Sequence, residues 1–199
     1  DEHTYKNFKY RILDDNTAEI CGYTGKNAVV TVPDSIDSKP VTSIGRTAFY
    51  SGKIKEVTIP NTVRSIKWWA FYGCESLEKI NLNFGLKTVG YGAFMNCKNL
   101  KSVSIPMSVT QICDDSFAVS CSTKKGVFDT YSKQTISTQQ YSTDSSFTLE
   151  GYSGTVAEKY CNDNSLNFVS SGNVIYGDVN NNGTVEAADA KLAKSLIDT

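Results

Sequence analysis

The chain contains 199 residues, with 20 Lys and Arg against 21 Asp and Glu, and its formal net charge at pH 7 is −1. This balance gives no electrostatic basis for binding nucleic acid or an anionic membrane surface. No apolar run approaches the roughly 20 residues that a membrane-spanning helix needs. The length suits one elongated domain with a small additional module, and we expect a monomer.

The start of the chain and its composition favour an extracellular protein. Asp1 is an unusual native first residue, and no signal peptide precedes the first strand pattern. Ser, Thr, Asn and Tyr are abundant, which is typical of an extracellular surface. We therefore expect a secreted protein whose leader has been removed.

The first 28 residues predict a tail and a cap. Residues 1–6 are expected to form a disordered tail. Alternating residues at 8–12, a polar turn at 14–16 and a return at 18–23 predict a β-hairpin. This hairpin, within residues 7–28, would cover an open end of the structure and protect its strand edges.

From Val41 to Cys121 the sequence repeats every 22 or 23 residues, after a first strand at 30–33 and an insertion at 34–39. A fixed period of this length is typical of a solenoid, in which each repeat buries its apolar edge against its neighbours. Alternating residues predict short strands, which would stack in parallel about 4.8 Å apart. The recurring columns are Phe49, Phe71, Phe94 and Phe117, and, five residues earlier, Ile44, Ile66, Val89 and Ile112.

The pattern Ile-x4-Ala-Phe-x2-Cys-x2-Leu-x2-Val-x-Ile-Pro resembles the BspA-like branch of the leucine-rich repeats, which are common on bacterial surfaces and in secreted proteins. The resemblance covers residues 29–128. It implies a mainly β repeat solenoid, a right-handed coil with short parallel strands. A domain of residues 1–172 would then carry the N-terminal hairpin cap and a small α/β C-terminal cap at 129–169. Such repeats serve as binding scaffolds, so the fold alone does not identify a ligand.

Past Cys121 the repeat pattern decays. The coil is predicted to continue weakly to Phe128, and residues 132–146 are predicted to form a polar, exposed excursion. Residues 147–152 predict a strand and turn. A short helix is expected at 155–164, with Val156, Tyr160 and Cys161 pointing inward. Phe168 and Val169 predict a last strand, followed by a linker at 170–173.

The cysteines have two interpretations. Cys74 and Cys97 occupy one repeat column, as does Cys121 if one residue is inserted, and are expected to stack inside as small apolar fillers. Disulfides are the alternative that a secreted compartment permits, although sequence does not assign their connectivity. The candidates outside the column are Cys21, Cys113 and Cys161.

A loop near the C-terminus has the ligand pattern of a calcium site. Oxygen side chains recur at alternate positions, and Gly183 at position 6 permits the sharp turn of an EF-hand-like loop. Position 12 carries Asp where an ordinary EF-hand has Glu. The predicted ligands are Asp178, Asn180, Asn182, Thr184 through its backbone carbonyl, and Asp189.

This loop, with the Leu-bearing helix pattern after it, resembles the first repeat of a dockerin. Dockerins attach secreted proteins to the cohesins of a cellulosome scaffold in a Ca²⁺-dependent manner. The resemblance implies Ca²⁺ as cofactor, a cohesin as partner and a partial dockerin at residues 173–199, because a dockerin normally carries two such repeats. Cohesin contacts are implied at Ala187, Ala188, Lys194 and Ser195.

No catalytic residues are expected in this chain. A Ser or Cys nucleophile of the triad type needs an imidazole base, and the only histidine is His3, in the predicted tail. A zinc site is disfavoured because no CxxC pair exists. Adjacent carboxylates at 14–15 and 114–115 are expected to face solvent from turns.

Two surfaces of the solenoid are candidates for ligand binding. Stacked coils would place Trp68 beside Tyr91 and Tyr50 beside Tyr72, and such aromatic columns could hold a sugar ring or a protein partner. The alternative, which we favour, is that one of these columns is internal filler. A polar row along the strands suits hydrogen bonding or is a plain solvated face, and comprises Glu56, Thr58, Lys79, Asn81, Ser102 and Ser104.

These observations favour a non-catalytic secreted module whose solenoid binds a protein or glycan and whose dockerin tethers it to a cellulosome. An accessory domain of a larger secreted protease or glycoside hydrolase is the alternative. A surface adhesin is a third possibility.

Overall fold

The computed structural model of the chain describes residues 1–117, 120–129, 134–142, 144 and 146–173. Over these residues it is a mainly β solenoid of about six turns. The helix found in the described ranges is nine residues long. It is too short and too polar to cross a membrane, and no other helix of the described residues could do so.

The N-terminal cap has three antiparallel strands. They are β1 (His3–Tyr5), β2 (Phe8–Ile12) and β3 (Ala18–Tyr23). The prediction of a disordered tail at 1–6 is therefore wrong. Lys6, with φ of 53°, reverses the chain, and the ring of His3 lies 5.4 Å from that of Tyr10. The predicted hairpin is confirmed and gains β1 as an outer strand.

The repeats form two parallel ladders. The strands of the repeats are β4 (Val29–Thr31), β5 (Ser35–Ile36), β6 (Lys39–Ile44), β7 (Glu56–Thr58), β8 (Ser65–Ile66), β9 (Lys79–Asn81), β10 (Thr88–Val89), β11 (Ser102–Ser104) and β12 (Gln111–Ile112). One ladder joins β4, β7 and β9, and the other continues β3 through β6, β8, β10 and β12. The predicted insertion at 34–39 contains β5, which pairs antiparallel with the start of β6.

The phenylalanine column forms a continuous internal stack, as predicted. The rings of Phe49 and Phe71 lie 4.8 Å apart at 8°, and Phe94 and Phe117 continue the stack at 5.2 Å steps. Tyr23 extends it into the N-terminal cap. These separations are within the favourable range for offset aromatic stacking. The stack therefore ties every described coil to its neighbours.

A hairpin interrupts the coil after Phe117. Its strands are β13 (Ser120–Asp129) and β14 (Gln134–Ser142), paired antiparallel. The predicted weak coil to Phe128 is therefore wrong, and the excursion predicted at 132–146 begins earlier, as a hairpin separate from the parallel ladders. Whether its side chains are exposed, as predicted, lies outside the described residues for 120–141. The β-branched and aromatic residues on both sides of 130–133 favour paired strands over a coil turn.

The solenoid resumes beyond the hairpin and is closed by a helix. β15 (Thr148–Ser153) pairs in parallel with β11, across the insertion. α1 (Val156–Asn164) follows, and Ser165, in the left-handed region, ends it. β16 (Asn167–Asn173) then pairs in parallel with β15, so the predicted linker at 170–173 is wrong and belongs to a strand.

The predicted inward face of the helix is confirmed. Tyr160 and Cys161 are buried, and Val156 is half-buried against the core. The ring of Tyr160 meets that of Phe117 edge-on at 5.9 Å. The helix thus packs against Phe117, whose ring also stacks on that of Phe147 with centroids 5.4 Å apart, and it helps to exclude water from this end of the apolar stack.

Candidate ligand-binding surface

The turn that carries each phenylalanine has two left-handed backbone positions. Residues two before the Phe have φ between 54° and 57°, and residues two after it have φ between 51° and 70°. Such angles turn the chain sharply and are costly for most L-residues. The first column is Thr47, Trp69, Gly92 and Asp115, and the second is Ser51, Gly73 and Asn96.

The left-handed angle at Trp69 separates two consecutive indole rings. Trp69 is half-buried, whereas Trp68 is 58% exposed. The ring of Trp69 meets that of Tyr91 edge-on, with centroids 6.3 Å apart. This contact corrects the predicted pairing of Trp68 with Tyr91, because the ring next to Tyr91 is that of Trp69.

Trp69 also supports an exposed cation on the preceding coil. The guanidinium carbon of Arg46 lies 4.9 Å from the centre of the Trp69 ring, a separation that favours a cation–π interaction. Tyr91 packs against Trp69 and hydrogen-bonds to Asp115. Three successive coils thus hold the orientation of one guanidinium group.

Trp68 borders a groove that runs across β8, β10 and β12. The groove has a cavity volume of about 420 Å³, and no carboxylate lines it. We call it the Trp68 groove. Its lining residues are Arg46, Ser65, Ile66, Lys67, Trp68, Thr88, Gly90, Gln111 and Cys113.

A row of polar side chains crosses this groove. The strand register places Ser65 opposite Thr88 and Thr88 opposite Gln111. Within the described part of the chain, no side-chain hydrogen bond to the protein engages these three residues. They are only partly covered. Their hydroxyl and amide groups therefore remain available to water or to a ligand.

The groove adjoins a buried carboxylate with three partners. Glu19 is 1% exposed and accepts bonds from Arg11 at 2.5 Å, from Ser43 at 2.7 Å and from Lys67. Burial raises the pKa of Glu19, but these three donors outweigh burial and hold the pKa below its ordinary value. Arg11 and Lys67 carry two positive charges against the one negative charge of Glu19, so this cluster has a net positive charge beside the groove.

The second aromatic column is partly exposed and partly internal. Tyr50 and Tyr72 stack at 5.3 Å and 6°, as predicted. Tyr50 is 56% exposed, but Met95, next in the column, is buried. Asn96 donates from Nδ2 to the Tyr72 hydroxyl at 3.1 Å. The preferred interpretation as internal filler therefore holds only for Met95.

The polar row on the other ladder is engaged with itself. Lys79 pairs with Glu56 at 3.1 Å, and Asn81 donates to both Glu56 and Thr58. Ser104 lies on β11, which pairs with β15 in a separate sheet, and donates to Glu150 at 2.6 Å. Since most of these groups satisfy one another, this face offers a ligand fewer free partners than the Trp68 groove does.

The described cysteines are free thiols. Cys74 and Cys97 are buried, as predicted, and donate to the carbonyl oxygens of Phe49 and Phe71. Cys21, Cys113 and Cys161 are also unpaired, so the disulfide alternative fails for these five residues. The side chain of Cys121 lies outside the described residues.

The described part of the chain contains no group of three His, Cys, Asp or Glu side chains that could hold a metal ion. The predicted calcium loop lies outside the described residues, and so do the implied cohesin contacts. This applies to Asp178, Asn180, Asn182, Thr184, Asp189, Ala187, Ala188, Lys194 and Ser195.

The adjacent carboxylates at 114–115 differ in their surroundings. Asp114 is exposed, as predicted, whereas Asp115 is half-buried, and burial raises the pKa of its carboxyl group.

Comparison with known proteins identifies the fold family. A family model described as a BspA type leucine rich repeat region, in six copies, matches residues 30–149. The match spans more than half of the chain. The chain belongs to this family, as the repeat pattern predicted.

Solved structures agree with this assignment. A leucine-rich repeat protein from Bacteroides capillosus is 31% identical with a TM-score of 0.55, over 57% of this chain and 88% of that one. One from Bacteroides ovatus is 28% identical with a TM-score of 0.50, over 58% and 38%. A leucine rich cell surface protein from Faecalibacterium prausnitzii is 26% identical with a TM-score of 0.51, over 78% and 46%. No protein of curated function matches the chain.

Sequence reasoning found Trp68 and the tyrosine column but missed the charged half of the groove. Arg46 and Lys67 lie 22 and 1 residues from Trp68 in sequence. Lys67 was detectable because it immediately precedes the exposed indole. The position of Arg46 was detectable too, because Arg46 precedes Phe49 by three residues as Trp68 precedes Phe71. Its contact with Trp69 was not, since that contact depends on side-chain rotamers across two coils.

Proposed function

We propose that this chain is a non-catalytic extracellular binding module. The observation that carries the proposal is the exposed Trp68 side chain on the repeat surface. It lies in one groove with Arg46, which contacts the Trp69 ring, and with the polar row of Ser65, Thr88 and Gln111. A large exposed aromatic side chain loses solvent contact favourably when a partner covers it. Repeat solenoids supply extended surfaces for such partners. The extracellular location is supported by the family and by the cell surface description of one similar structure.

The C-terminal loop would tether this module to a scaffold. The oxygen ligands from Asp178 to Asp189 would bind Ca²⁺, and the helix that follows would present Lys194 and Ser195 to a cohesin. Ala187 and Ala188 would allow close approach at the start of that helix. Support for this role comes from the spacing of the ligand side chains in the sequence.

Calorimetric titration of the 199-residue chain with Ca²⁺ tests the tether. Ca²⁺ should bind the natural chain, and Asp178→Ala combined with Asp189→Ala should remove the binding heat. Asp14→Ala combined with Asp15→Ala is the matched control, because these exposed carboxylates lie in a turn outside the loop. Equal heats from the loop variant and the natural chain would refute the calcium site.

Binding screens test the solenoid. We expect the chain to bind an extracellular protein or polysaccharide, and Trp68→Ala to weaken that binding while leaving the melting temperature unchanged. Tyr50→Ala, which removes an equally exposed ring from a different column, is the control. Binding that survives Trp68→Ala would place the recognition surface elsewhere on the coil.

A second role is that of an accessory domain in a longer secreted enzyme or adhesin. It is favoured by the coverage of the similar structures, since the chain spans 38% and 46% of two of them. The complete open reading frame distinguishes this role from a free-standing module.

A further inference from the structure

We propose that the Trp68 groove binds an acidic sugar residue of an extracellular polysaccharide, with the anionic group, a carboxylate or a sulfate ester, held by Arg46. This inference rests on the proposed binding function and specifies its ligand class. Three features support it: the exposed ring of Trp68, the guanidinium group of Arg46 beside Trp69, and the polar side chains of Ser65, Thr88 and Gln111 on adjacent strands.

The exposed ring supplies the apolar contact. More than half of the Trp68 side chain is open to solvent, so a planar apolar surface remains uncovered. The C–H groups of a sugar ring can pack on such a surface while its hydroxyl groups point away. Aromatic rings that combine an apolar body with a polar edge suit partners that are themselves half polar.

The guanidinium group supplies the charge. The Arg46 guanidinium carbon lies 4.9 Å from the centre of the Trp69 ring, and within the described residues no side-chain hydrogen bond or ion pair engages its N–H groups. That planar set of donors matches a carboxylate or sulfate in a two-point contact. Among the described residues no carboxylate lies within 4.0 Å of the group, so no ion pair competes for it.

The rest of the lining favours an anion as well. Lys67 also lines the groove but is paired with Glu19, so Arg46 is the unpaired cation of the described lining. No carboxylate of the described residues lines the groove itself, whereas Asp1, Glu2 and Glu19 line a second cavity that Arg46 also borders. The nearest buried carboxylate, Glu19, is already held by Arg11, Ser43 and Lys67. Charge complementarity therefore points to an acidic ligand even though the chain as a whole is close to neutral.

The polar row would receive the sugar hydroxyl groups. Ser65, Thr88 and Gln111 stand in register on adjacent strands, at the roughly 4.8 Å spacing of neighbouring strands. They offer both donors and acceptors. On the ladder of β4, β7 and β9, by contrast, Glu56, Lys79 and Asn81 bind one another, so these groups are less available to a ligand.

A sugar fits these features better than a protein partner does. A stable protein interface buries roughly 800 Å² on each side around an apolar core. The large exposed apolar side chains of the described residues are Val29, Tyr50, Trp68 and Val169, and the Trp68 groove contains one of them. The groove volume of about 420 Å³ lies in the range of small-ligand sites, about 300–1,000 Å³.

The test is calorimetric titration of the full chain with matched trisaccharides. The probes are trigalacturonate, triglucuronate, a sulfated galactose trisaccharide, and neutral galactose and glucose trisaccharides. We expect at least one acidic probe to bind at least tenfold more tightly than its neutral counterpart, and NaCl to weaken that binding. Binding by uronates alone assigns a carboxylate, and binding by the sulfated probe alone assigns a sulfate ester.

Variants locate the site. Trp68→Ala and Arg46→Gln should each weaken the acidic probe at least tenfold at an unchanged melting temperature. Tyr50→Ala and Lys53→Gln, which remove an exposed ring and an exposed cation outside the groove, should leave it within twofold. The inference is overturned by failure of every acidic probe, by equal binding of neutral probes, or by loss of affinity in the Tyr50 variant alone.

The same experiments separate this inference from the proposed function. If the chain binds an extracellular protein through Trp68 but no acidic sugar, the ligand class is wrong and the binding module stands. If it binds neither sugars nor extracellular proteins, both proposals fail.

Discussion

The ring of Phe71 stacks on that of Phe94 with centroids 5.2 Å apart and planes 9° from parallel. The two residues are 23 positions apart in sequence, and the coils that carry them are joined beside the rings by the hydrogen bond from Phe71 N to Ala93 O at 2.8 Å. The ring stacking and the backbone hydrogen bonds therefore both connect one coil to the next. Each coil is stabilised mainly through its neighbours, as in other repeat proteins.

Phe71→Ala should destabilise the whole solenoid. Phe71 is fully buried and stacks on both sides, so the change leaves a cavity and costs about 3–5 kcal/mol. Phe71→Leu should cost less because it fills part of that cavity. Urea denaturation measures both, with Tyr50→Ala as an exposed aromatic control expected to lose less than about 1 kcal/mol. An alanine variant as stable as the natural chain would show that the ring stack contributes little.

The left-handed column before each Phe predicts two substitutions of opposite sign. Thr47 has φ of 56°, and a β-branched residue there is strained by about 1–2 kcal/mol, so Thr47→Gly should raise the melting temperature. Gly92 has φ of 57°, and an added Cβ would lie 2.7 Å from Trp69 Cδ1. Gly92→Ala should therefore lower it. Differential scanning calorimetry measures both melting temperatures. Shifts of the same sign in the two variants would contradict the left-handed backbone angles assigned to these positions.

The five described thiols should differ in their reaction with iodoacetamide. Cys74, Cys97 and Cys161 are buried, whereas Cys21 and Cys113 are partly exposed. Burial raises the pKa of Cys161 to about 11 and also raises that of Cys21, which disfavours the reactive thiolate in both, so exposure decides which of these two is labelled. Mass spectrometry of the native protein should find label on Cys21 and Cys113 and protection of the other three, with all five labelled in urea. A disulfide between any two of them would contradict the structure.

The sequence predicted those features that depend on local pattern. The phenylalanine column, the strand alternation and the inward residues of α1 all recur at fixed spacing, so the core could be assigned from one chain. The pairing of Trp69 with Arg46 and Tyr91 could not, because a left-handed angle at residue 69 decides which indole turns outward. Gly92 and Gly73 are the only glycines in the two left-handed columns, so the positive φ of the other residues in those columns was not evident from the sequence. β1 was missed because pairing with β2 outweighs the polar character of residues 1–6.

Glu19 makes the stability of the fold depend on pH. Its carboxylate is buried and bonded to Arg11, Ser43 and Lys67, and these partners hold its folded pKa below the ordinary value of about 4.3. A carboxyl group with a lowered folded pKa contributes stability that is present above its unfolded pKa and is lost as pH falls through the folded pKa. Unfolding free energy should therefore fall on acidification below about pH 4, the range set by the ordinary carboxyl pKa.

Glu19→Gln tests this origin directly. The amide keeps a partner for Ser43 but loses the negative charge that faces Arg11 and Lys67, whose side chains are 53% and 40% exposed and can rehydrate. We expect a loss of about 1.5–3 kcal/mol at pH 7 that shrinks steadily as the natural carboxylate is protonated towards pH 3. Glu78→Gln, which breaks the exposed pair with Lys55, should have little effect at either pH. Urea denaturation at pH 7, 5 and 3 measures both variants, and a Glu19→Gln penalty that is the same at pH 7 and pH 3 would show that the side chain acts through shape rather than charge.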